Sequence, residues 1–227
     1  MRVVKDIQTA DVEEPEATVV TGDGNAERRR IEALAQHFDG PDVLHFPSGS
    51  VGEIHGSSPV RYVGTKKHNR TDVNHTSKAV LDGIEPLVPP YTEFVFVIDR
   101  EHFSEHPESD LESKADELTD GRCQVSSLAG EAYEIEFEIG PYDVTVHAAV
   151  VGEQYSCFED SLVSLADQLG YCGEKAVYNA VSSRDQLKRK LDDEIGTTGD
   201  EELINDAARC QIEYCFPNIA AVFRQFE

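Results

Sequence analysis

Residues 93–98, Glu-Phe-Val-Phe-Val-Ile, constrain the fold more than any other part of the chain. Five consecutive apolar residues, all β-branched or aromatic, are typical of a strand that is covered on both faces. Such strands belong mainly to parallel sheets packed between helices. The apolar run ends in the charged triplet Asp99-Arg100-Glu101. We therefore expect a central strand here, with charged side chains at its carboxyl end.

Strand and helix patterns alternate along the chain and predict an α/β fold, a mostly parallel sheet flanked by helices. The other predicted strands are Ala17–Thr21, Val43–Phe46, Cys123–Leu128 and a β-hairpin of Tyr133–Ile139 and Tyr142–Val151 that turns at Gly140-Pro141. The predicted helices include Ile31–Phe38, 72–87, 107–118, Phe158–Leu169, Ser183–Ile195, Glu201–Tyr214 and Pro217–Phe226. Spacings of three and four residues between apolar positions support the helical assignments.

Three regions follow from this pattern. Residues 1–15 are polar and acidic and predict a flexible leader or an edge strand. Residues 16–170 hold the predicted α/β domain. Residues 171–227 are helical throughout and predict a C-terminal extension packed on that domain.

The charge is extreme, with 44 Asp and Glu against 20 Lys and Arg and a formal net charge of -24. It excludes a simple basic nucleic-acid-binding module. A hydrophobic fraction of 39% argues against disorder, so the acid must lie on a folded surface. Acid spread this evenly resembles the proteins of haloarchaea, in which molar salt screens the repulsion between carboxylates.

The five cysteines include no C-x-x-C pair, which argues against a zinc ribbon. We expect them to be reduced and mostly buried, with Cys210 and Cys215 at core-facing positions of a helix. No apolar run approaches the roughly 18 residues of a membrane span, and the N-terminus lacks a hydrophobic targeting core. The sequence therefore predicts a cytoplasmic protein.

Acidic side chains cluster after two predicted strands. Asp23 and Glu27 follow the strand that ends at Thr21, and Asp99 and Glu101 follow the central strand. Ligands of open α/β sheets bind at the carboxyl ends of the strands. Because Mg²⁺ prefers carboxylate oxygens, a divalent-cation site is expected where these two strand ends meet.

These motifs resemble the Toprim domain of topoisomerases, primases and nucleases, in particular the Toprim-like proteins of bacterial and archaeal mobile and defence loci. The resemblance covers Ala17 to Leu169. The family pattern Val-Glu-Gly-x-x-x-Glu is similar to Val20 through Glu27, and Ile-Asp-Arg-Asp is similar to Ile98 through Glu101. Cys157-Phe158-Glu159-Asp160 also resembles a Phe-Glu helix start in this family.

The resemblance implies a metal-dependent reaction on the phosphodiester bonds of nucleic acid, DNA or RNA. Asp99, Glu101 and Asp23 would coordinate Mg²⁺ or Mn²⁺, and Glu27 or Asp23 would be the general base. Arg100 would neutralise the phosphate.

The segment Arg61–Arg70 concentrates positive charge and includes Lys66, Lys67 and Arg70. One interpretation is a solvated loop whose bases pair with neighbouring carboxylates. The other is a loop that faces phosphate and guides a nucleic-acid strand.

One departure from the family pattern affects the predicted chemistry. Thr21 stands where the family has its first glutamate, and a hydroxyl cannot replace a carboxylate as a base near neutral pH. The alternative is therefore a catalytically degenerate Toprim-fold module that docks on a protein partner such as an ATPase. Carboxylates that converge on one point would favour the metal site, and carboxylates that diverge would favour the module.

Plainer roles exist for several of these residues. Asp23 can shape the glycine turn, Asn25 can cap the following helix, and Glu27 can complement the dipole of that helix. Ser156-x-x-Glu159 fits a capping box, which would make Glu159 a structural cap. His102 is expected on the surface.

Overall fold

A single sheet organises the computed structural model, which describes residues 1–4, 17–21, 25–39, 43–45, 88, 91–119, 122–196 and 198–227. The strands are β1 (Arg2–Val4), β2 (Ala17–Thr21), β3 (Val43–His45), β4 (Glu93–Asp99), β5 (Cys123–Ala129), β6 (Ala132–Ile139) and β7 (Tyr142–Val151). The helices are α1 (Asn25–Ala35), α2 (Pro107–Thr119), α3 (Phe158–Gln168), α4 (Glu174–Ala180), α5 (Arg184–Ile195), α6 (Gly199–Asp206), α7 (Arg209–Cys215) and α8 (Pro217–Phe223). The expected helix over 72–87 and the segment Arg61–Arg70 lie outside the described residues.

The strand order in the sheet is β1-β3-β2-β4-β7-β6-β5. β1, β3, β2, β4 and β7 run parallel to one another. β5, β6 and β7 form an antiparallel meander at the other side of the sheet. The predicted α/β class is confirmed, and so is the hairpin, in which Ile139 pairs with Tyr142 across the turn. The sequence predicts a flexible leader or an edge strand for residues 1–15. Within that segment, β1 (Arg2–Val4) is an edge strand of the sheet.

β4 is the central strand that the apolar run predicts. It pairs with β2 on one side and β7 on the other, and every residue from Phe94 to Asp99 is buried. Val95 and Val97 face one hydrophobic layer, while Phe94, Phe96 and Ile98 face the other. The uninterrupted apolar run thus reflects helices packed on both faces of the strand.

The two faces of the sheet carry layers of different size. The smaller layer is built from α2, through Leu111 and Ala115, against β4, β6 and β7. The larger layer joins α1 and α3 to the C-terminal helices. These helices contribute buried side chains to it throughout residues 171–227, including Leu187, Leu191, Leu203, Ile212, Ile219 and Phe223. The C-terminal helices therefore complete the hydrophobic core on this face of the sheet.

The sequence predicts one helix over Glu201–Tyr214, but the structure has two helices there, α6 and α7. α6 ends at Asp206, Ala207 and Ala208 are extended, and α7 begins at Arg209. The side chain of Gln211 accepts a hydrogen bond from the backbone N–H of Ala208, which stabilises the new helix start. The single-helix prediction is wrong because two alanines carry no local signal for a break.

The cysteines are all free, and Cys157 and Cys215 are buried as expected. Cys210 is exposed, so its assignment to the core is wrong. α7 buries Ile212 and Cys215, three residues apart, and this spacing places Cys210 on the opposite side of the helix. Within the part of the chain that the structure describes, no helix is long and apolar enough to cross a membrane.

Candidate functional site

The carboxyl ends of β2 and β4 form the topological switch point of the sheet. The connection from β2 through α1 leads to β3 on one side, whereas β4 lies on the other side of β2. Where the strand order of a parallel sheet reverses in this way, a crevice forms outside the carboxyl ends of the two strands, and ligands of α/β proteins bind there. Thr21 and Asp99 are the last residues of these two strands.

Asp99 is buried at the end of β4, and both of its carboxylate oxygens have partners. Oδ1 accepts a hydrogen bond of 2.9 Å from the backbone N–H of Phe158, the first residue of α3. Oδ2 lies 2.6 Å from Nη2 of Arg184, the first residue of α5. Asp99 thus fixes the beginnings of two helices over one strand end.

Arg184 joins three carboxylates at this point. Its Nη1 donates to Glu101 Oε1, and its Nη2 reaches Asp99 and lies 3.7 Å from Oε2 of Glu159. Burial lowers the pKa of Arg184, but the charges of Asp99 and Glu101 outweigh it and raise the pKa above its ordinary value. The guanidinium is therefore a permanent cation between the strand end and the helices.

Glu159 is the most deeply buried acid of the cluster, with 2% of its surface exposed. Its Oε1 accepts hydrogen bonds of 3.1 Å from both Nη1 and Nη2 of Arg30 on α1. Burial raises the pKa of Glu159, yet the charges of Arg30 and Arg184 outweigh it and hold the pKa below its ordinary value. The carboxylate is therefore ionised, and its Oε2 has no hydrogen-bond partner within the described residues.

Arg30 connects this cluster to α6. Its Nε and Nη2 contact Oδ2 of Asp200 at 2.8 and 2.5 Å. The guanidinium also lies over the ring of Phe158, 5.1 Å from the centroid. A charged group this deeply buried is stable only when it is paired on several sides, and here two carboxylates and an aromatic face surround it.

The loop before α3 brings Glu159 into this position. Gly152, directly after β7, has φ +102°, and a Cβ there would lie 2.1 Å from the backbone nitrogen of Cys157. The loop therefore folds back on itself only because residue 152 is glycine. The backbone N–H of Glu101 then donates to the carbonyl of Ser156 at 2.9 Å, which ties the loop to the strand end.

The capping box expected from Ser156 and Glu159 is displaced by one residue. Cys157 is the N-cap of α3, and Asp160 accepts hydrogen bonds from the backbone N–H groups of Cys157, Tyr155 and Glu153. The expected capping role of Glu159 is therefore wrong. Because Asp160 satisfies the helix start, the neighbouring Glu159 points inward and pairs with arginines instead.

The structure brings together only part of the predicted site. Asp99 and Glu101 converge, as a metal site requires, but they converge on Arg184. Arg100 pairs with Glu131, and its Nη2 is 3.3 Å from the carbonyl of Glu105, outside the group around Arg184.

Glu27 lies in the first turn of α1, and only its backbone is described. Asp23, Lys66, Lys67 and Arg70 lie outside the described residues.

Sequence reasoning missed the basic partners of the site. Arg184 lies 85 residues from Asp99 and Arg30 lies 129 residues from Glu159, so their pairing leaves no local motif. The available signals are two basic runs, Arg28-Arg29-Arg30 and the residues 184–190, four of which are basic. Neither run indicates which carboxylates its members pair with.

No three His, Cys, Asp or Glu side chains of the described residues are grouped closely enough to hold a metal ion as they stand. The carboxylates of Asp99, Glu101 and Glu159 are arranged around a guanidinium. Comparison of the chain with protein-family models, curated proteins and solved structures finds no match.

Proposed function

We propose that this protein is a Toprim-like phosphodiester-processing protein that acts on nucleic acid with Mg²⁺ or Mn²⁺ at the carboxyl ends of β2 and β4. The observation that carries the proposal is the convergence of Asp99, Glu101 and Glu159 on one cation at the switch point. In the structure that cation is the guanidinium of Arg184.

The donor set fits a hard divalent cation. All three side chains offer carboxylate oxygens, the ligands that Mg²⁺ and Mn²⁺ prefer. Oε2 of Glu159 is buried without a hydrogen-bond partner among the described residues, and it faces the guanidinium. A divalent cation bound here, with Arg184 moved aside, would polarise a phosphoryl oxygen and offset its charge.

The surrounding residues would prepare the carboxylates for this role. The backbone N–H of Phe158 orients Asp99 through one oxygen and leaves the other toward the cation. Arg30 keeps Glu159 ionised in the interior, so that no proton has to leave before a cation binds. Arg184, once displaced, would be close enough to contact the substrate phosphate.

The topology supports the Toprim-like assignment. Neighbouring parallel strands β3, β2, β4 and β7 place the Asp99-Arg100-Glu101 motif beside the end of β2, as the resemblance implies. Thr21 ends β2, so the general base of the reaction is assigned to Asp23 or Glu27 in the segment that follows.

A specific observation favours the second candidate, a protein-interaction module with the same fold. Both oxygens of Asp99 are committed, one to a backbone N–H and one to Arg184, and the carboxylates of the cluster are paired with Arg184 and Arg30. A module that carries out no chemistry would keep such a cluster to join β4, α3 and α5.

Mn²⁺ binding and nuclease activity in molar KCl distinguish the two candidates. We expect wild type to bind Mn²⁺ and to cleave DNA or RNA, and we expect Asp99→Asn to lose both. Asp143→Asn, the same change at an exposed position of β7, should retain both. Arg184→Ala should bind Mn²⁺ more tightly than wild type, because the competing cation is gone.

The opposite pattern would favour the interaction module. If neither wild type nor Arg184→Ala binds Mn²⁺, the carboxylates serve the fold alone. Cleavage that persists in Asp99→Asn would also exclude this site as the catalytic centre.

A further inference from the structure

We propose that the amino-terminal half of α5, through Arg184, Lys188 and Arg189, holds the backbone of a nucleic-acid strand beside the carboxyl end of β4. This inference rests on the proposed function and names the surface that the substrate would contact. Arg184 and Arg100 are both paired with carboxylates in the structure, so Lys188 and Arg189 supply the additional positive charge near the site.

The charge of α5 is unusual for this chain. Four of the residues 184–190 are basic, although the chain as a whole carries a net charge of -24. Lys188 and Arg189 are exposed, and neither forms an ion pair with a described residue. Lys190 differs, because it pairs with Glu194 one turn further along. Lys188 and Arg189 are thus available to an anionic partner.

The order of charges along α5 opposes helix stability. Asp192, Asp193 and Glu194 lie in its last turn, where no base is present. Arg184 begins the first turn beside the acid Asp185, and Lys188, Arg189 and Lys190 lie in the middle of the helix. A helix is stabilised by acids near its N-terminus and bases near its C-terminus, where they complement the macrodipole. The acidic last turn therefore costs helix stability, whereas the bases in the middle of the helix neither oppose nor complement the macrodipole, which acts mainly within the first and last turns. An anionic ligand would give these exposed bases a partner.

The position of these residues connects them to the candidate site. Arg184 and Lys188 are four residues apart and therefore lie on the same face of the helix, about 6 Å apart along its axis. Arg184 contacts Asp99 and Glu101, and the charge of Lys188 helps to lower the pKa of Glu159. The basic row thus begins at the carboxylate cluster and leads away from it.

A nucleic-acid strand fits this surface better than an acidic protein partner does. Residues 184 to 189 span about 7.5 Å along the helix axis, with Arg189 about 100° around the helix from Lys188. Each strand of a DNA duplex rises about 3.4 Å per phosphate, so these side chains can reach successive phosphates of one backbone. Docking a protein would call for apolar anchors, but the apolar residues of α5, Leu187, Leu191 and Ile195, are buried in the core. The exposed residues of this half-helix are all polar or charged, namely Asp185, Gln186, Lys188 and Arg189.

The test is the affinity of the full chain for a fluorescently labelled single strand of about 12 nucleotides, DNA and RNA in turn, across a KCl series. We expect Lys188→Glu and Arg189→Glu each to weaken binding about five- to tenfold. We also expect each to reduce the slope of log affinity against log salt by about one. The matched control is Arg122→Glu, which makes the same charge change at a side chain that is 75% exposed beside the far edge strand β5.

Three results would overturn the proposal. If wild type binds both strands and all three variants bind them equally well, the strand follows another surface, although the proposed function stands. If wild type binds neither strand, the inference and the proposed function fail together. If the two α5 variants lose binding of a polyglutamate peptide but keep that of nucleic acid, the surface serves an acidic protein.

Urea unfolding of each variant shows whether it is folded, and because both side chains are exposed we expect wild-type stability.

Discussion

Glu159 is an ionised acid in the interior, and its surroundings explain how it is tolerated. Removing a carboxylate from water costs several kcal/mol unless charges and hydrogen bonds replace the lost solvent. Arg30 supplies two hydrogen bonds and Arg184 a second positive charge. Asp200 in turn pairs with Arg30, so that no charge of the group stands alone. Removal of any member would leave its partner buried and uncompensated.

Glu159 should stabilise the fold in a pH-dependent way. Its native pKa lies below its ordinary value of 4.5, so the carboxylate contributes stability above about pH 4.5. That contribution is lost as the pH falls, because the native state must then take up the proton. We expect Glu159→Gln to lower the free energy of unfolding by roughly 1–3 kcal/mol at pH 6, and the difference from wild type to shrink below pH 4.5.

Urea unfolding of wild type and variant between about pH 3.5 and 6.5 measures this difference. Glu136→Gln, at an exposed position of β6, is the control and should show little difference at any pH. A wild-type advantage over Glu159→Gln that is the same at every pH would contradict the assigned ionisation.

At the scale of secondary structure, the break between α6 and α7 shows how a helix start is made without a standard cap. Ala208 is the N-cap of α7, in extended conformation, and offers no side-chain acceptor. Gln211 reaches back to the backbone N–H of Ala208, which is half of a capping box. The other half, a side-chain acceptor for the first turn, is missing, and the N–H of Gln211 donates instead to the carbonyl of Ala208 at 2.9 Å.

Ala208→Ser should therefore stabilise the protein. The exposed position and extended backbone suit serine, whose hydroxyl can accept from the first turn of α7. We expect the free energy of unfolding to rise by about 0.5–1 kcal/mol, measured by urea unfolding. Ala180→Ser, at the end of α4, makes the same chemical change away from any helix start and should not stabilise. A loss of stability in Ala208→Ser would show that the break is not held by capping.

At the scale of the whole molecule, the net charge governs how stability depends on salt. A charge of -24 repels itself across the surface of a compact fold, and this repulsion acts on the folded state more than on the expanded chain. Salt shortens the Debye length from about 10 Å at 0.1 M to about 3 Å at 1 M. The described ion pairs offset only part of the repulsion, because 44 acids face 20 Lys and Arg.

We therefore expect the melting temperature to rise by at least about 5 °C between 0.1 M and 1 M KCl, because screening relieves the repulsion. Differential scanning calorimetry measures the change. Sucrose at equal osmolality is the control, since it favours compact states without screening charge. A melting temperature that falls with KCl would mean that ion pairs, such as those of Arg30 and Arg184, outweigh the net repulsion.

The sequence alone determines the elements whose patterns are local. The apolar run of β4, the alternation of the β6–β7 hairpin and the apolar stripe of α3 each encode burial within a few residues, and the structure has all three. The break at Ala207-Ala208 was not predictable, since alanine is a strong helix former and the break depends on packing around it. The shift of the α3 cap to Asp160 likewise depends on a loop that must fold back onto β4.

The acidic half of the candidate site was predictable and the basic half was not. Asp99 and Glu101 follow a strand whose end is evident in the sequence, so local pattern locates them. Arg184, Arg30 and Glu159 meet these residues only because α5, α1 and α3 pack on the same end of the sheet. Hydrophobic burial sets that packing, and it places the side chains of Arg30 and Glu159, 129 residues apart, in contact. The sequence thus determined that Asp99 and Glu101 lie at the strand end. The tertiary structure decided that Glu159 joins them and that the cation they face is Arg184.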